Sequence, residues 1–251
     1  MKVALITGGA GGIGDATARL LLIKGWQVAI ADLNVEPVAA LTQEYPERVL
    51  TLTSDVRAPD AAEVACAAVV EKWGQLDFLV NCAGVNRHSP FEDLSLEDWQ
   101  FVLDVNLTGT FLFMKAAARH MLAAGSGAIV NLSSIAGARG VPDRAAYAAT
   151  KAAVISITKS AAVGWATRGV RVNAIAPGFV DTPLVRKYTD SGALDINQLL
   201  NTTPMRRLAS PQEIASAIAF LGGDDSGFVT GQTLFVDGGF TAEYGIPSTY
   251  K

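Results

Sequence analysis

Short apolar runs bounded by glycine or polar turns alternate along the whole chain with longer stretches of helical period. Lys2 to Thr7 is the first run, nearly continuous in its apolar character, as a strand covered on both faces requires. Gly8-Gly9-Ala10-Gly11-Gly12-Ile13-Gly14 breaks it, and Ile13, Thr17, Leu20 and Leu21 then recur at helical spacing until Gly25 supplies a stop. Gln27 to Asp32 is a second strand and ends on a carboxylate. Arg48 to Thr53 and Leu76 to Asn81, a third and a fourth, flank an Ala/Val-rich helix from Asp60 to Trp73. Ser95 with Asp98 has the look of a capping box and opens a long helix to about Ala124. Gly127 to Ser133 is the fifth strand, Ala146 to about Arg168 a helix closed by Gly169, and Val170 to Ile175 a sixth strand broken at Pro177-Gly178. The stretch 180–207 is more polar and irregular, and is predicted as a lid. Ser210-Pro211-Gln212-Glu213 combines an N-cap, a proline at the first helical position and a glutamate at the third. Gln232 to Val236 is the last strand. Such alternation predicts an α/β fold, with one doubly wound parallel sheet of about seven strands and helices on both faces, in a single domain over 1–251.

Composition narrows the function. The net charge is −4 and no cluster of lysine and arginine occurs, which argues against nucleic acid as a partner. Two cysteines, Cys66 and Cys82, are too few for a disulfide framework and suit a reducing compartment. The opening MKVALITGG is already a strand and a turn, which leaves no room for a signal peptide, and no apolar run reaches the ~20 residues that span a bilayer. A cytoplasmic protein without a membrane partner is expected. His88 and His120 are not spaced with other ligands as a metal site, so no metal is expected.

A glycine turn between a strand and a helix suits a pyrophosphate. Missing Cβ atoms let the phosphate approach the backbone, and the helix N-terminus offers unpaired N–H groups and a positive dipole. Asp32 follows where an acid bonds the adenosine ribose hydroxyls; no arginine or lysine stands at Leu33 or Asn34 or in the turn to receive a 2′-phosphate, so NAD is favoured over NADP. Tyr147 and Lys151 stand in the i, i+4 relation on one helix face, with the hydroxyl of Ser134 upstream.

With Thr7-Gly8-x-x-x-Gly12-Ile13-Gly14, Asn81-Cys82-Ala83-Gly84, Ser134 and Tyr147-x-x-x-Lys151, the chain resembles the short-chain dehydrogenase/reductase family in its single-domain, Rossmann-type form, over essentially its whole length. Cys82 is a departure, standing where the family usually has a second Asn. The resemblance implies a cofactor site made by Gly8, Gly12, Ile13, Gly14, Asp32, Asp55 and Val56 beside the adenine, Asn81 and Gly84 along the adenosine, and Pro177, Gly178, Val180 and Thr182 over the nicotinamide. It implies a catalytic set of Asn106, Ser134, Tyr147 and Lys151. Tyr147 acts as general base, Ser134 holds the reacting oxygen, Lys151 binds the nicotinamide ribose, and Asn106 anchors a water on the proton path. A homotetramer is implied too, joined through the two long helices and the last strand.

A phenol of pKa about 10 is a weak base near neutrality, and an adjacent ammonium together with a positive nicotinamide ring is expected to lower it. The substrate wall is expected to draw on Asn86, Arg87, His88, Arg139, Val141 and Arg144, with Leu184, Arg186 and Lys187 from the lid. The cations point to a polar substrate such as a sugar, polyol or hydroxy acid derivative. Two other readings stay open: an NADPH-dependent 3-oxoacyl-carrier-protein reductase and an inactive dinucleotide-binding regulator. The tail from Phe240 to Lys251, with Tyr244, Pro247 and Tyr250, either docks on a neighbour or frays.

Overall fold

The computed structural model describes residues 1–190 and 195–243. Its strands are β1 (Val3–Thr7), β2 (Gln27–Asp32), β3 (Val49–Thr53), β4 (Phe78–Asn81), β5 (Gly127–Leu132), β6 (Val170–Pro177) and β7 (Thr233–Val236). All pair in parallel, in the order β3-β2-β1-β4-β5-β6-β7. The order reverses between β1 and β4, so a crevice opens beyond the carboxyl ends of those strands, where doubly wound sheets bind their ligands.

Helices cover both faces. The helices are α1 (Gly12–Ile23), α2 (Ala39–Glu44), α3 (Ala61–Trp73), α4 (Leu96–Leu103), α5 (Thr110–Ala124), α6 (Ala145–Trp165), α7 (Pro183–Asp190), α8 (Ile196–Thr202) and α9 (Pro211–Gly222). One core joins Ile6, Ile30, Phe78 and Val130 to Leu21 and Leu22 of α1 and Ile214 and Ile218 of α9. The other joins Leu5, Leu79, Ile129 and Val172 to Val69 of α3, Phe113 and Met121 of α5 and Ala162 of α6. Alternate residues of each strand feed opposite cores, which explains why the strands read as continuous apolar runs.

Several elements depart from the sequence reading. β6 continues through Pro177, which pairs with Val236; as the strand's last residue, it interrupts no ladder beyond it. α2 lies between β2 and β3, where no helix is expected, because six residues are too few to show a period. The polar stretch 180–207 is largely helical in its described part. Thr182 opens α7 by accepting from the Val185 N–H at 3.3 Å, followed by Pro183. The reciprocal Ser210–Glu213 capping box of α9 forms as read, whereas at α4 the Ser95 hydroxyl accepts from the Asp98 N–H and donates to the Asp98 carboxylate.

The long helix from Ser95 is continuous to Ala124, but Asp104–Gly109 forms a π-helical turn in its middle. Contrary to the reading that no stretch reaches membrane length, Leu96–Ala124 is long and apolar enough by length and composition. More than half of its apolar window is buried, with Phe113 and Met121 in the core.

Candidate active site

The turn after β1 is shaped around the missing side chains. Gly8 and Gly12 have φ of 63° and 51°, and a Cβ on Gly14 would stand 2.1 Å from the Gly8 carbonyl oxygen. A Cβ on Gly11 would meet nothing within 4 Å, and one on Gly12 would meet only Thr182, at 3.4 Å. α1 starts at this turn without a side-chain cap, so its first N–H groups face an open cradle bounded by Thr182. Asp32, at the end of β2, accepts from the Ala10 N–H at 3.0 Å and so stands beside the same turn. The residues present fit a dinucleotide.

Asp55 is engaged by its neighbour. Arg57 makes a two-pronged contact with its carboxylate, at 2.6 to 3.0 Å, and holds its pKa below the usual carboxylate value. Val56 packs on the π-turn, where Gly109 leaves space; a Cβ there would stand 2.9 Å from the valine side chain. Asn81 turns into the sheet, donating to Asn131 at 2.8 Å, and Asn131 donates to Thr158 at 2.9 Å. Its own role is thus to tie β4 to β5 and α6. Nothing in the sequence pattern singles out Asn131 beyond its being an amide inside an apolar run.

The catalytic candidates converge where β5, the π-turn and α6 meet. Lys151 is buried and donates to the Leu132 carbonyl at 2.7 Å, with its Nζ 5.5 Å from the centre of the Tyr147 ring. Burial pulls its pKa down to about 8. Burial also pushes the Tyr147 phenol up, against a hydrogen bond from Ser134 and the charge of Arg144, which both pull it down. Without cofactor the protein thus shifts the phenol opposite to the expected direction, because the cost of a buried phenolate outweighs the nearby donors.

Ser133 donates to the Lys151 carbonyl at 2.8 Å, which leaves Ser134 as the hydroxyl beside Tyr147. Asn106 is fully buried in the π-turn. Its amide accepts from the Val85 N–H at 2.8 Å and donates to the Val85 carbonyl at 2.9 Å and the Thr150 hydroxyl at 3.2 Å. Thr150 in turn donates to the Tyr147 carbonyl at 2.7 Å. Gly84 lies beside Asn106 and Lys151: a Cβ there would stand 3.5 Å from both Asn106 Oδ1 and Lys151 Nζ. The sequence reading missed Thr150 and Gly137. Gly137 lets the turn after β5 lie on α6, since a Cβ would come within 2.8 Å of the Lys151 backbone. Only their places, inside Tyr147-x-x-Thr-Lys and three residues after Ser134, could have signalled them.

Comparison with known proteins joins these features. Residues 8–241 match the family model described as Enoyl-(Acyl carrier protein) reductase. A cis-4-hydroxycyclohexanecarboxylate dehydrogenase of Sinomonas cyclohexanicum is 44% identical, over 96% of this chain and 97% of its own. The chain belongs to the short-chain dehydrogenase/reductase family. It is an oxidoreductase that acts on alcohols with a dinucleotide cofactor. A D-threitol dehydrogenase of Mycolicibacterium smegmatis is 43% identical, over 96% of this chain and 93% of its own. Among solved structures, ElxO with NADP bound superposes with a TM-score of 0.91 at 34% identity, covering 96% of this chain and 99% of its own.

Where the substrate wall is expected in this dehydrogenase, the loop after β4 and the loop before α6 are joined by the Ser89 N–H and the Asp143 carbonyl, at 3.0 Å. Asn86 bonds the His88 imidazole at 3.0 Å, and burial lowers the His88 pKa, helped by Arg144. Arg87 pairs with Asp98 at 3.1 Å and stacks on Phe101. Arg139 donates to the carbonyls of Thr241 and Glu243, and Arg186 pairs with Asp181 through two bonds of 2.7 Å. The side chains of Leu184 and Lys187 lie outside the described residues, as do positions 191–194 of the lid and Tyr244, Pro247 and Tyr250 of the tail.

After β6, the Gly178 N–H donates to the Val236 carbonyl at 3.0 Å. The Asp181 N–H donates to the Ala209 carbonyl at 2.8 Å and the Ala209 N–H to the Phe179 carbonyl at 2.9 Å, which makes the Val180–Ala209 bridge, and Phe240 meets Phe179 edge-on at 5.5 Å. Pro177, Gly178 and Val180 are thus tied to β7 and to Ala209, and Thr182 borders the glycine cradle.

Proposed function

We propose that this enzyme interconverts a secondary alcohol and a ketone by hydride transfer with NAD, on a polar or cyclic alcohol. The observation that carries the reading is the meeting of Ser134, Tyr147 and Lys151 at the crevice, opposite a glycine cradle with Asp32 at its rim. The nicotinamide, when bound, takes or gives the hydride. The residues handle the proton. The Ser134 hydroxyl holds the reacting oxygen against Tyr147, whose phenolate accepts the alcohol proton in oxidation and whose phenol returns it in reduction. Lys151, held by the Leu132 carbonyl, presents its ammonium under the phenol and to the nicotinamide ribose. Asn106 fixes the Val85 loop and, through Thr150, the backbone of Tyr147. Its proposed part in the proton path is therefore one of positioning.

Gly8, Gly12, Ile13 and Gly14 would cradle the pyrophosphate. Asp32 would take the ribose hydroxyls, Asp55 and Val56 the adenine, Asn81 and Gly84 the adenosine flank, and Thr182 with the turn Pro177–Val180 the carboxamide. Asp32 at the ribose supports NAD, since a 2′-phosphate there would face a carboxylate. The NADP of ElxO makes NADP the reading to test against it. The dehydrogenases of a hydroxycyclohexanecarboxylate and of threitol support cyclic alcohols and polyols as the substrate class. We also propose a single domain over 1–251 with its lid at 180–207, assembled as a cytoplasmic homotetramer. A panel of cyclohexanols, tetritols, sugars and hydroxy acids, assayed with NAD and with NADP by absorbance of the reduced nicotinamide, tests the reading. Turnover with NAD at least tenfold faster than with NADP is expected; equal or faster turnover with NADP would refute the assignment to Asp32.

A further inference from the structure

The cations placed along the substrate wall do not share one fate. Arg87 is held by Asp98, Arg186 by Asp181, and Arg139 by two carbonyls of the C-terminal segment. Arg144 is different. Among the described residues its guanidinium has no ion pair and no side-chain hydrogen bond. It is nevertheless half-buried, at the N-cap of the 21-residue helix α6, three residues before Tyr147. A guanidinium with no ion pair, beside the positive end of a helix dipole, is a place where an anion is favoured.

The surroundings fit such a guest. The Asp143–Ser89 backbone bond brings the Arg144 loop against the loop that carries Asn86 and His88. The charge of Arg144 is felt by the His88 imidazole, where the Asp143 carboxylate opposes it, and by the Tyr147 phenol, where Arg144 is the charged residue that acts. Arg144 thus stands one turn before Tyr147 in the chain, near enough for its charge to act on the phenol.

We propose that Arg144 forms an anion subsite and that the substrate carries a carboxylate besides its secondary alcohol, the hydroxyl resting on Tyr147 and Ser134 and the carboxylate on the guanidinium. This rests on the reading that Tyr147 receives the alcohol. A two-bond guanidinium–carboxylate contact orients the carbinol as well as binding it, because its geometry is fixed in a plane. His88, aligned by Asn86, borders the same space and shapes its far side.

The test separates the subsite from the chemistry. Cyclohexanecarboxylate and its neutral isostere cyclohexanecarboxamide, neither of which can be oxidised at a carbinol, are titrated by calorimetry into the NADH-loaded protein. The carboxylate is expected to bind at least tenfold more tightly than the amide. Arg144→Gln should bring that ratio to near one, while Arg144→Lys keeps part of it; melting curves show that both variants are folded. Equal affinity for the two probes, no binding of the carboxylate, or a preference that survives Arg144→Gln would overturn the proposal. Turnover of neutral secondary alcohols by the wild-type enzyme, measured separately, reports on the hydride-transfer reading whatever the two probes show at Arg144.

Discussion

At the scale of single residues, burial acts in opposite senses on the two members of the Tyr147–Lys151 pair, raising the phenol and lowering the amine to about 8. The lysine therefore affects stability as well as chemistry. In the unfolded chain it holds its proton up to its ordinary value of 10.5, while in the folded chain it gives it up near 8. Between those values the unfolded state binds more protons, so stability rises with pH across the window, and the full cost of burial is present below about 8. Relative to Lys151→Met, the wild type is predicted to gain about 2 kcal/mol between pH 7.5 and 9.5, read from denaturant titrations. Arg144 lowers the phenol, so Arg144→Gln should move the acidic limb of the alcohol-oxidation pH profile to higher pH. A limb that stays in place would remove Arg144 from the field at Tyr147. Asp32→Ala should raise the KM for NAD roughly 10- to 100-fold, the equivalent of a charged hydrogen bond of about 1.5–3 kcal/mol.

At the scale of elements, the parts that announced themselves locally were legible and those that depend on distant partners were not. The glycine turn, the carboxylate ending β2 and the Ser210–Glu213 box are short-range patterns with a local physical cause, and they could be read. The π-turn at Asp104–Gly109 could not, because a widened turn leaves the apolar period on both sides intact. Nor could the partners of Asn106, since Val85 lies in a loop that only the tertiary fold brings near. The cationic wall was legible in composition but not in detail, as pairing with Asp98 and Asp181 decides where Arg87 and Arg186 point. Two predictions belong here. Gly14→Ala places a methyl 2.1 Å from the Gly8 carbonyl and should cost at least about 1–3 kcal/mol of stability and weaken cofactor binding. Arg139→Ala should speed amide hydrogen exchange in 240–243, by releasing the carbonyls of Thr241 and Glu243, with less than about 1 kcal/mol lost globally.

At the scale of the whole molecule, two faces carry apolar side chains that the fold itself does not cover. Phe111 on α5 and Val163 on α6 are 51% and 82% exposed, and Phe220, Phe228 and Leu234 around α9 and β7 are 45%, 105% and 40% exposed. Exposed apolar side chains on α5 and α6 and again around α9 and β7 are where the proposed tetramer would make its contacts. Native mass spectrometry at micromolar concentration should show four chains, and Val163→Glu should reduce them to two.

The chemistry itself rests on one side chain. With the best alcohol from the panel and saturating NAD, Tyr147→Phe should lower kcat by roughly 10²- to 10⁴-fold, the range of a lost general acid–base group, while NADH still binds within a few-fold of wild type. A Tyr147→Phe enzyme that keeps more than about a tenth of the wild-type kcat, well outside that range, would contradict the account.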